Sequence, residues 1–517
     1  MQGTLTALKA PVGADYLCLN FSAAFLNAAK QARDKTAIID ETGHYSWGSF
    51  SDLACSVAAR LIRKGILPGQ RIAALSDNSA DYLALYCGVL LAGACMAPLP
   101  TSAKPETLTK MLKDCDAKLL FASTDYIDVA KVLNVAPIVD LSPLANWADD
   151  APITSPVNVP PESYFDLIYS SGTTGTPKGI IHDQQFRGRQ LERMPRFGLD
   201  GDARLIMSTP LYSNTTLVAV LPVLAKGGTI VSMRKFDTTR FLELSQEHAV
   251  THAMLVPVQY MRLMKTPNFD SYDLSAYRAK LSTSAPLPAP LIREILTRWP
   301  GDQFELYGMT EGGVSTVLDC AAFPEKLDTV GCLAEGCQAH VIDENGAVLP
   351  TGAYGEIVGR SGSMMPCYLN AEQSTRDVLW RDAEGRDYIR TGDMGRFDED
   401  GFLHLMDRKK DMIISGGFNI YAADLERVLR DHPDVADVAV IAIHSDQWGE
   451  TPLGLVVLDS ASKATGAMIR DWANERLGKI QRLSNIELRS SLPRNAIGKI
   501  DKRALRAPYW PQTAKDS

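Results

Sequence analysis

Residues 169–179 read Tyr169-Ser170-Ser171-Gly172-Thr173-Thr174-Gly175-Thr176-Pro177-Lys178-Gly179. Five serine and threonine hydroxyls, three glycines and one lysine fall within this stretch. Glycine permits φ > 0 and leaves peptide N–H groups uncovered. The hydroxyls are short neutral donors, and Lys178 adds a mobile positive charge. Together they suit the phosphates of a nucleotide. A Walker loop is excluded: it needs a glycine, four residues and then Gly-Lys-Ser/Thr, whereas here the order is Lys178-Gly179 and Pro177 has no N–H to give. A flexible polar linker has a similar composition. Linkers seldom sit directly behind an apolar strand, however, and residues 164–168 read as a buried strand.

The elements around this stretch alternate. Residues 36–39, 71–75, 95–98 and 118–122 read as strands, and residues 50–63, 79–91 and 105–115 as helices. Residues 143–163 form a Pro-, Asp- and Ser-rich connection. Beyond the loop, strands are expected at 204–208, 229–233, 253–256, 280–284 and 303–307, with helices at 216–225, 239–247, 258–264 and 288–299. This alternation predicts an α/β fold of mostly parallel, doubly covered sheets. From about residue 330 short apolar runs are separated by Asp343-Glu344-Asn345-Gly346, Asp382-Ala383-Glu384-Gly385 and Asp398-Glu399-Asp400-Gly401, which predicts a small antiparallel β unit. A helix at 422–430, strands at 435–443 and 452–457 and a helix at 467–477 follow. We expect a large N-terminal domain over residues 1–406 and a small α+β domain over 407–517, joined by a hinge.

Tyr307-Gly308-Met309-Thr310-Glu311 stands at a strand end, where doubly wound sheets bind ligands. Tyr388-Ile389-Arg390-Thr391-Gly392-Asp393 offers a carboxylate that can accept two hydroxyls. Lys499 follows the Gly498 turn of Leu492-Pro493-Arg494-Asn495-Ala496-Ile497-Gly498. A strand-end glutamate, an aspartate before a turn or a lone lysine is by itself usually a solvated side chain. Here the ordered set, with residues 169–179, closely resembles the motifs of the AMP-forming acyl-adenylate enzymes: acyl-CoA ligases, luciferases and peptide-synthetase adenylation domains. The resemblance runs from about residue 20 to 505.

The resemblance implies roles. Ser170, Ser171, Gly172, Thr173, Thr174, Gly175 and Lys178 would cradle the phosphates of ATP. Tyr307 would flank the adenine, Thr310 would contact the α-phosphate, and Glu311 with Thr173 would hold Mg²⁺. Asp393 and Arg408 would bind the ribose, Asp407 would be the hinge, and Lys499 would bridge the substrate carboxylate and the α-phosphate. Asp411–Tyr421 resembles the segment that lines the pantetheine tunnel of the CoA-ligase branch, with Gly416 and Gly417 allowing close approach. Tyr212, Ser213, Ser282, Thr283, Ser284, Gly308 and Met309 would line the acyl pocket. Two departures stand out. Ser213 occupies a position where many CoA ligases have His, and Thr283-Ser284 replaces a smaller, less polar pair.

The implied reaction joins a carboxylic acid to CoA at the expense of ATP, by way of an acyl-AMP. Loading of a carrier protein is the first alternative, and a non-catalytic nucleotide-binding relative the second. The latter should have lost Glu311 or Lys499, and both are present. A net charge of −8 argues against a nucleic-acid partner. Nine scattered cysteines without a C-x-x-C pair suit a reducing cytoplasm. No signal peptide is read at the N-terminus. The apolar run 82–98, interrupted by Gly88 and Gly93, falls short of the roughly 20 residues of a transmembrane helix. His248 and His252 form no zinc-protease motif and are read as structural. His182 is read as structural or as a neighbour of the phosphates. The acid is left open among aryl, arylpropenoic, medium-chain and alicyclic types, and a homodimer is left open too.

Overall fold

The computed structural model describes residues 19–170, 177–408, 411–415, 418–445, 447–460, 462–494 and 499–509, without the side chains of Ser170, Asp407, Arg408, Asn419 and Ile480. Two compact units divide it. One takes in the chain up to Ala339 together with Gly359–Ile389, and the other His340–Val358 together with the chain from Arg390 on.

The first unit holds the expected mostly parallel sheets. A nine-stranded sheet runs in the order Cys332–Leu333, Ser315–Asp319, Asp302–Gly308, Ala279–Ser282, His252–Leu255, Arg204–Met207, Thr229–Ser232, Thr36–Asp40, Gly43–Ser46. A six-stranded sheet runs Ile138–Asp140, Leu119–Ala122, Arg71–Leu75, Cys95–Pro98, Tyr164–Ser170, Lys178–Asp183. Simple alternation does not foretell where the first strand goes. Thr36–Asp40 pairs antiparallel with Gly43–Ser46, which follows it, and on its other side in parallel with the distant Thr229–Ser232, with Ile38 opposite Ile230.

One apolar core joins both sheets. Ile38, Leu205 and Ile230 belong to the larger, and Ile72, Met96 and Phe121 to the smaller. Trp47, Phe50, Tyr86 and Leu221, on helices Trp47–Arg63, Ala80–Leu91 and Asn214–Lys226, fill the space between. In Ala80–Leu91 every residue except Asp81 is buried, as befits a helix apolar on all sides. Among the described residues no helix is long and apolar enough to cross a membrane.

Several elements go beyond the sequence expectations, among them helix Phe21–Gln31, strand Lys178–Asp183 and helix Gln184–Arg193. The last is mostly polar, with only Phe186 and Leu191 apolar, and it buries Arg187 beside them. Periodicity of apolar residues cannot find a helix whose buried face carries a guanidinium.

The three Asp-x-x-Gly runs are turns of one design. The carboxylates of Asp343, Asp382 and Asp398 each accept from the N–H groups two and four residues on, at 2.8–3.1 Å. Gly346, Gly385 and Gly401 take φ of 84°, 79° and 84°, which favours glycine. The second unit also contains a sheet of order Phe418–Ile420, Ile413–Ser415, Gly449–Leu458, Val435–Ser445, with Asn485–Leu488 parallel to Gly449–Leu458. Helices Ala422–Arg430 and Gly466–Asn474 share its core.

Strands Ala279–Ser282 and Asp302–Gly308 each bury a charged residue type. Lys280 donates to the carbonyls of Trp299, Pro300 and Gly301 at 3.1, 2.7 and 2.7 Å, so its three protons have three acceptors. Glu305 is less well served. Its Oε1 accepts from Leu287 N–H at 3.2 Å, and its Oε2 has no partner. Burial lifts this carboxyl to about 8, so it keeps its proton at neutral pH. An acid whose pKa rises on folding loses stability as pH climbs from its unfolded value, about 4.3, through the folded one. Glu305→Gln should therefore melt at a higher temperature than the parent at pH 9 and at the parent's temperature at pH 5, as thermal denaturation will read.

Candidate functional site

The phosphate-loop candidate lies between two paired strands. Strands Tyr164–Ser170 and Lys178–Asp183 are antiparallel, with Ser170 opposite Lys178 and Tyr169 opposite Gly179. Ser171, Gly172, Thr173, Thr174 and Gly175 lie outside the described residues, as does the side chain of Ser170. The stems are firmly held. Tyr169 OH lies 2.9 Å from the Met111 carbonyl and 2.8 Å from Asp114 Oδ2, two acceptors for its one proton, and Leu369 N–H donates to the Gly179 carbonyl at 2.7 Å.

Beneath the hairpin is a buried polar cluster built on Asp166. Its Oδ2 accepts from Tyr86 OH at 2.7 Å and from Arg187 Nε at 2.9 Å. Its Oδ1 lies 2.6 Å from His182 Nδ1. Asp166 and His182 are completely buried, and Arg187 is nearly so. Burial opposes the Asp166 charge, but Arg187 and His182 hold its carboxyl below the usual carboxylate range. Burial and the adjacent Arg187 lower the His182 pKa against the pull of Asp166. Arg187 also donates to Asn214 Oδ1 at 2.8 Å, and Asn214 is the first residue of the helix that follows Tyr212-Ser213. Removing one partner from such a buried network costs about 3–5 kcal/mol. Asp166 and Arg187 are functional-site neighbours that the sequence reading lacked. Apolar flanks on Asp166 made it look like part of an ordinary strand.

The Thr310-Glu311 segment is fixed from several sides. Tyr307 and Gly308 end strand Asp302–Gly308, opposite Thr316 and Ser315. Met309 and Thr310 follow, and Gly312 N–H closes a turn onto the Met309 carbonyl at 3.0 Å. Met365 N–H donates to the Glu311 carbonyl at 2.9 Å. The Thr310 carbonyl is 2.7 Å from His182 Nε2. Tyr368 OH donates to Glu311 Oε1 at 2.8 Å, while Lys178 Nζ lies 5.0 Å from the centre of the same Tyr368 ring. One aromatic ring thus touches both the loop lysine and the glutamate. Burial, and then Glu311, push the Tyr368 hydroxyl up, so it stays a donor. Tyr368 is a further residue the motifs did not reveal.

Of the pocket candidates, Tyr212 is half-buried and Ser213 is buried ahead of helix Asn214–Lys226. Ser282 ends its strand fully buried, and Thr283 and Ser284 follow. Ser284 holds φ 79°, and its Oγ lies 2.8 Å from Thr215 Oγ1. The polar departure at Ser284 therefore meets the first turn of the helix that follows Ser213.

The other predicted residues belong to the second unit. Asp393 lies directly opposite Arg408 in the antiparallel pair Asp387–Phe397 and Leu403–Arg408. The Asp393 N–H donates to Thr391 Oγ1 at 3.0 Å, and the hydroxyl of Thr391 donates to the Ile357 carbonyl at 2.8 Å. Asp407 is in the latter strand, with its side chain outside the description. Ser415 pairs with Phe418, so Gly416 and Gly417 are the residues between two hairpin strands, though they too lie outside the described residues. Lys499 directly precedes Ile500, which bridges to Arg494 across the loop. Arg494 pairs with Asp437 at 2.6 Å, and Lys502 with buried Glu426 at 2.8 Å. The lysine loop is thereby fastened on both sides. His252 is buried with its Nε2 3.0 Å from the Phe197 carbonyl, and burial lowers its pKa to about 4, in keeping with a structural residue.

Residues 25–369 match the AMP-binding enzyme family, and residues 424–499 match the AMP-binding enzyme C-terminal domain. The chain is 31% identical to a feruloyl-CoA synthase of Amycolatopsis sp over 486 residues, which cover 93% of this chain and 97% of that protein. It is 31% identical to 4-coumarate–CoA ligase 2 of Petroselinum crispum over 507 residues, 92% of this chain and 91% of that one. The crystal structure of ATP-bound MatB from Rhodopseudomonas palustris superposes with a TM-score of 0.86 at 27% identity, covering 95% of this chain and 98% of that one.

Gly312 shows how little room the glutamate turn has. Its φ is 77°, and a Cβ there would lie 2.0 Å from the Ser363 carbonyl oxygen. Gly312→Ala should lower the urea midpoint by an amount worth about 2 kcal/mol or more, since backbone must move to admit the methyl.

Proposed function

This chain belongs to the AMP-binding enzyme family, and from that membership we propose how its own residues carry the reaction. It is an ATP-dependent, AMP-forming acid–thiol ligase. It activates a carboxylic acid as an acyl-AMP with release of pyrophosphate, and it passes the acyl group to the thiol of coenzyme A. A carboxylate is a poor acyl donor because oxide will not leave. Attack of its oxygen on the α-phosphate of ATP expels pyrophosphate and leaves AMP as the later leaving group.

Positioning and electrostatics do most of this work, as in other phosphate transfers. In our reading the hairpin loop, Lys178 and Thr310 hold the phosphates, and Asp393 with Arg408 holds the ribose. The observation that carries it is the Lys178–Tyr368–Glu311 contact chain, which links the loop's cation to the second motif's carboxylate. Magnesium enters with ATP. One carboxylate beside phosphate oxygens and water is a donor set Mg²⁺ accepts, and Tyr368 occupies only one oxygen of Glu311. Thr173 is proposed as its hydroxyl neighbour.

Lys499 is proposed to steady the charge that develops as the acid attacks. The C-terminal domain, taken as residues 407–517, would then turn about Asp407 and bring Gly416-Gly417 to CoA. Such domain steps often limit turnover. For the acid we propose an aryl or arylpropenoic carboxylate. Relatives named for ferulate, 4-coumarate and indoleacetate support that class. The free cysteines, of which Cys55, Cys87, Cys95, Cys115 and Cys320 are buried, support a reducing compartment such as the cytoplasm.

Pyrophosphate release should be greatest with aryl or arylpropenoic acids when these are compared with medium-chain and alicyclic acids in the presence of CoA. A preference for medium-chain acids would sink the proposed class. Lys499→Ala should slow adenylation by about 10²–10³-fold, the usual loss for one electrostatic donor. Synthetic acyl-AMP and CoA should still give thioester in that variant, and equal loss of both half-reactions in a folded protein would refute the division of labour.

A further inference from the structure

Both nitrogens of His182 are committed. Nδ1 lies 2.6 Å from Asp166 Oδ1, and Nε2 lies 2.7 Å from the Thr310 carbonyl oxygen. The ring stacks on Phe186 with centroids 4.0 Å apart and planes 16° apart, and it has no exposure to solvent. A carbonyl at that distance from Nε2 requires a proton there. Nδ1 then accepts from Arg187 Nη2, 2.9 Å away, or donates to Asp166 when the ring is charged. Either way Nε2–H holds the backbone of the Thr310-Glu311 turn, and in the charged ring Nδ1–H joins that turn to a buried carboxylate as well.

We propose that His182 is a positioning residue for adenylation. Aimed by Asp166 and Phe186, its Nε2–H holds the Thr310 carbonyl and so fixes where the Thr310 hydroxyl and the Glu311 carboxylate meet the nucleotide. The inference rests on the proposed roles of those two residues. The rest of the turn is consistent with such a clamp: Met365 N–H holds the next carbonyl, and Tyr368 OH holds the Glu311 side chain. A peptide fixed at consecutive carbonyls has little freedom to swing its side chains. The His182 contact also ties the stem of the phosphate-loop hairpin to the glutamate turn, so the two would be presented to the nucleotide as one piece.

The amide nitrogen of glutamine can reach the place of Nε2, whereas that of asparagine reaches only the place of Nδ1. His182→Gln should therefore keep the hold on Thr310, and His182→Asn should lose it. In acid-dependent ATP–pyrophosphate exchange, using the acid most active in the release assay, His182→Asn should lower kcat by about 10–100-fold, the range for partners that orient a binding group. Its KM for ATP should change by no more than about threefold, and His182→Gln should remain within about threefold of the parent in kcat, a factor worth well under 1 kcal/mol. Equal losses in both variants, or no loss in either, would overturn the proposal. Glu311→Gln in the same assay separates the two levels: full activity there would remove the nucleotide reading itself. If His182→Asn does not fold, the parent chain carries the test. With nitrogen-labelled histidine and carbonyl-labelled threonine, a coupling across the hydrogen bond from His182 Nε2 to the Thr310 carbonyl should be seen by NMR with and without MgATP. Its absence in both states would overturn the proposal.

Discussion

A carboxylate sealed from water is costly unless its charge is matched and its lone pairs are occupied. Asp166 meets both conditions through Tyr86, His182 and Arg187. Those partners come from helix Ala80–Leu91, the far stem of the hairpin and helix Gln184–Arg193. Arg187 reaches on to Asn214 and His182 to Thr310. One buried charge therefore binds the loop stems, the pocket motif and the glutamate turn into a single arrangement. Each of these segments carries a family motif, and none of the motifs contains the residue that unites them.

That accounts for what was legible in the sequence. Glycines, hydroxyls and charged residues on turns read clearly because such turns allow few residue types; the three Asp-x-x-Gly hairpins and the Thr310-Glu311 turn are examples. Strands such as Arg204–Met207 and Thr229–Ser232, rich in Ile, Leu and Val, also read clearly, since each lies in the interior of a parallel sheet. Helix Gln184–Arg193 did not, because its inward face is partly a guanidinium satisfied by residues distant in sequence. Tyr368 did not either: its hydroxyl finds Glu311 across 57 residues, and nothing local marks it. The pairing of Thr36–Asp40 with Thr229–Ser232 is likewise a matter of topology, which residue pattern does not encode.

The departures from the family pattern gain meaning from their surroundings. Ser284 occupies a left-handed backbone position that disfavours side chains with a Cβ, and its hydroxyl meets Thr215. Asn214, next to Thr215, is held by Arg187. The unusual serine is thus coupled through one helical turn to the same buried network that supports the hairpin. An exchange at Ser284 is no isolated change of pocket lining.

The parallel contact between Ile38 and Ile230 has a further consequence, for synthesis. The N-terminal strand leaves the ribosome long before its neighbour exists. At about 5–20 residues per second, the interval is on the order of 10–40 s. During that time the apolar edge of residues 36–40 has no native partner on its inner side, and the nascent chain offers it to any other unpaired strand nearby. A holding chaperone would cover the edge during that interval, and a pause before residue 232 would lengthen it. In this chain the order of manufacture and the order of assembly are at odds.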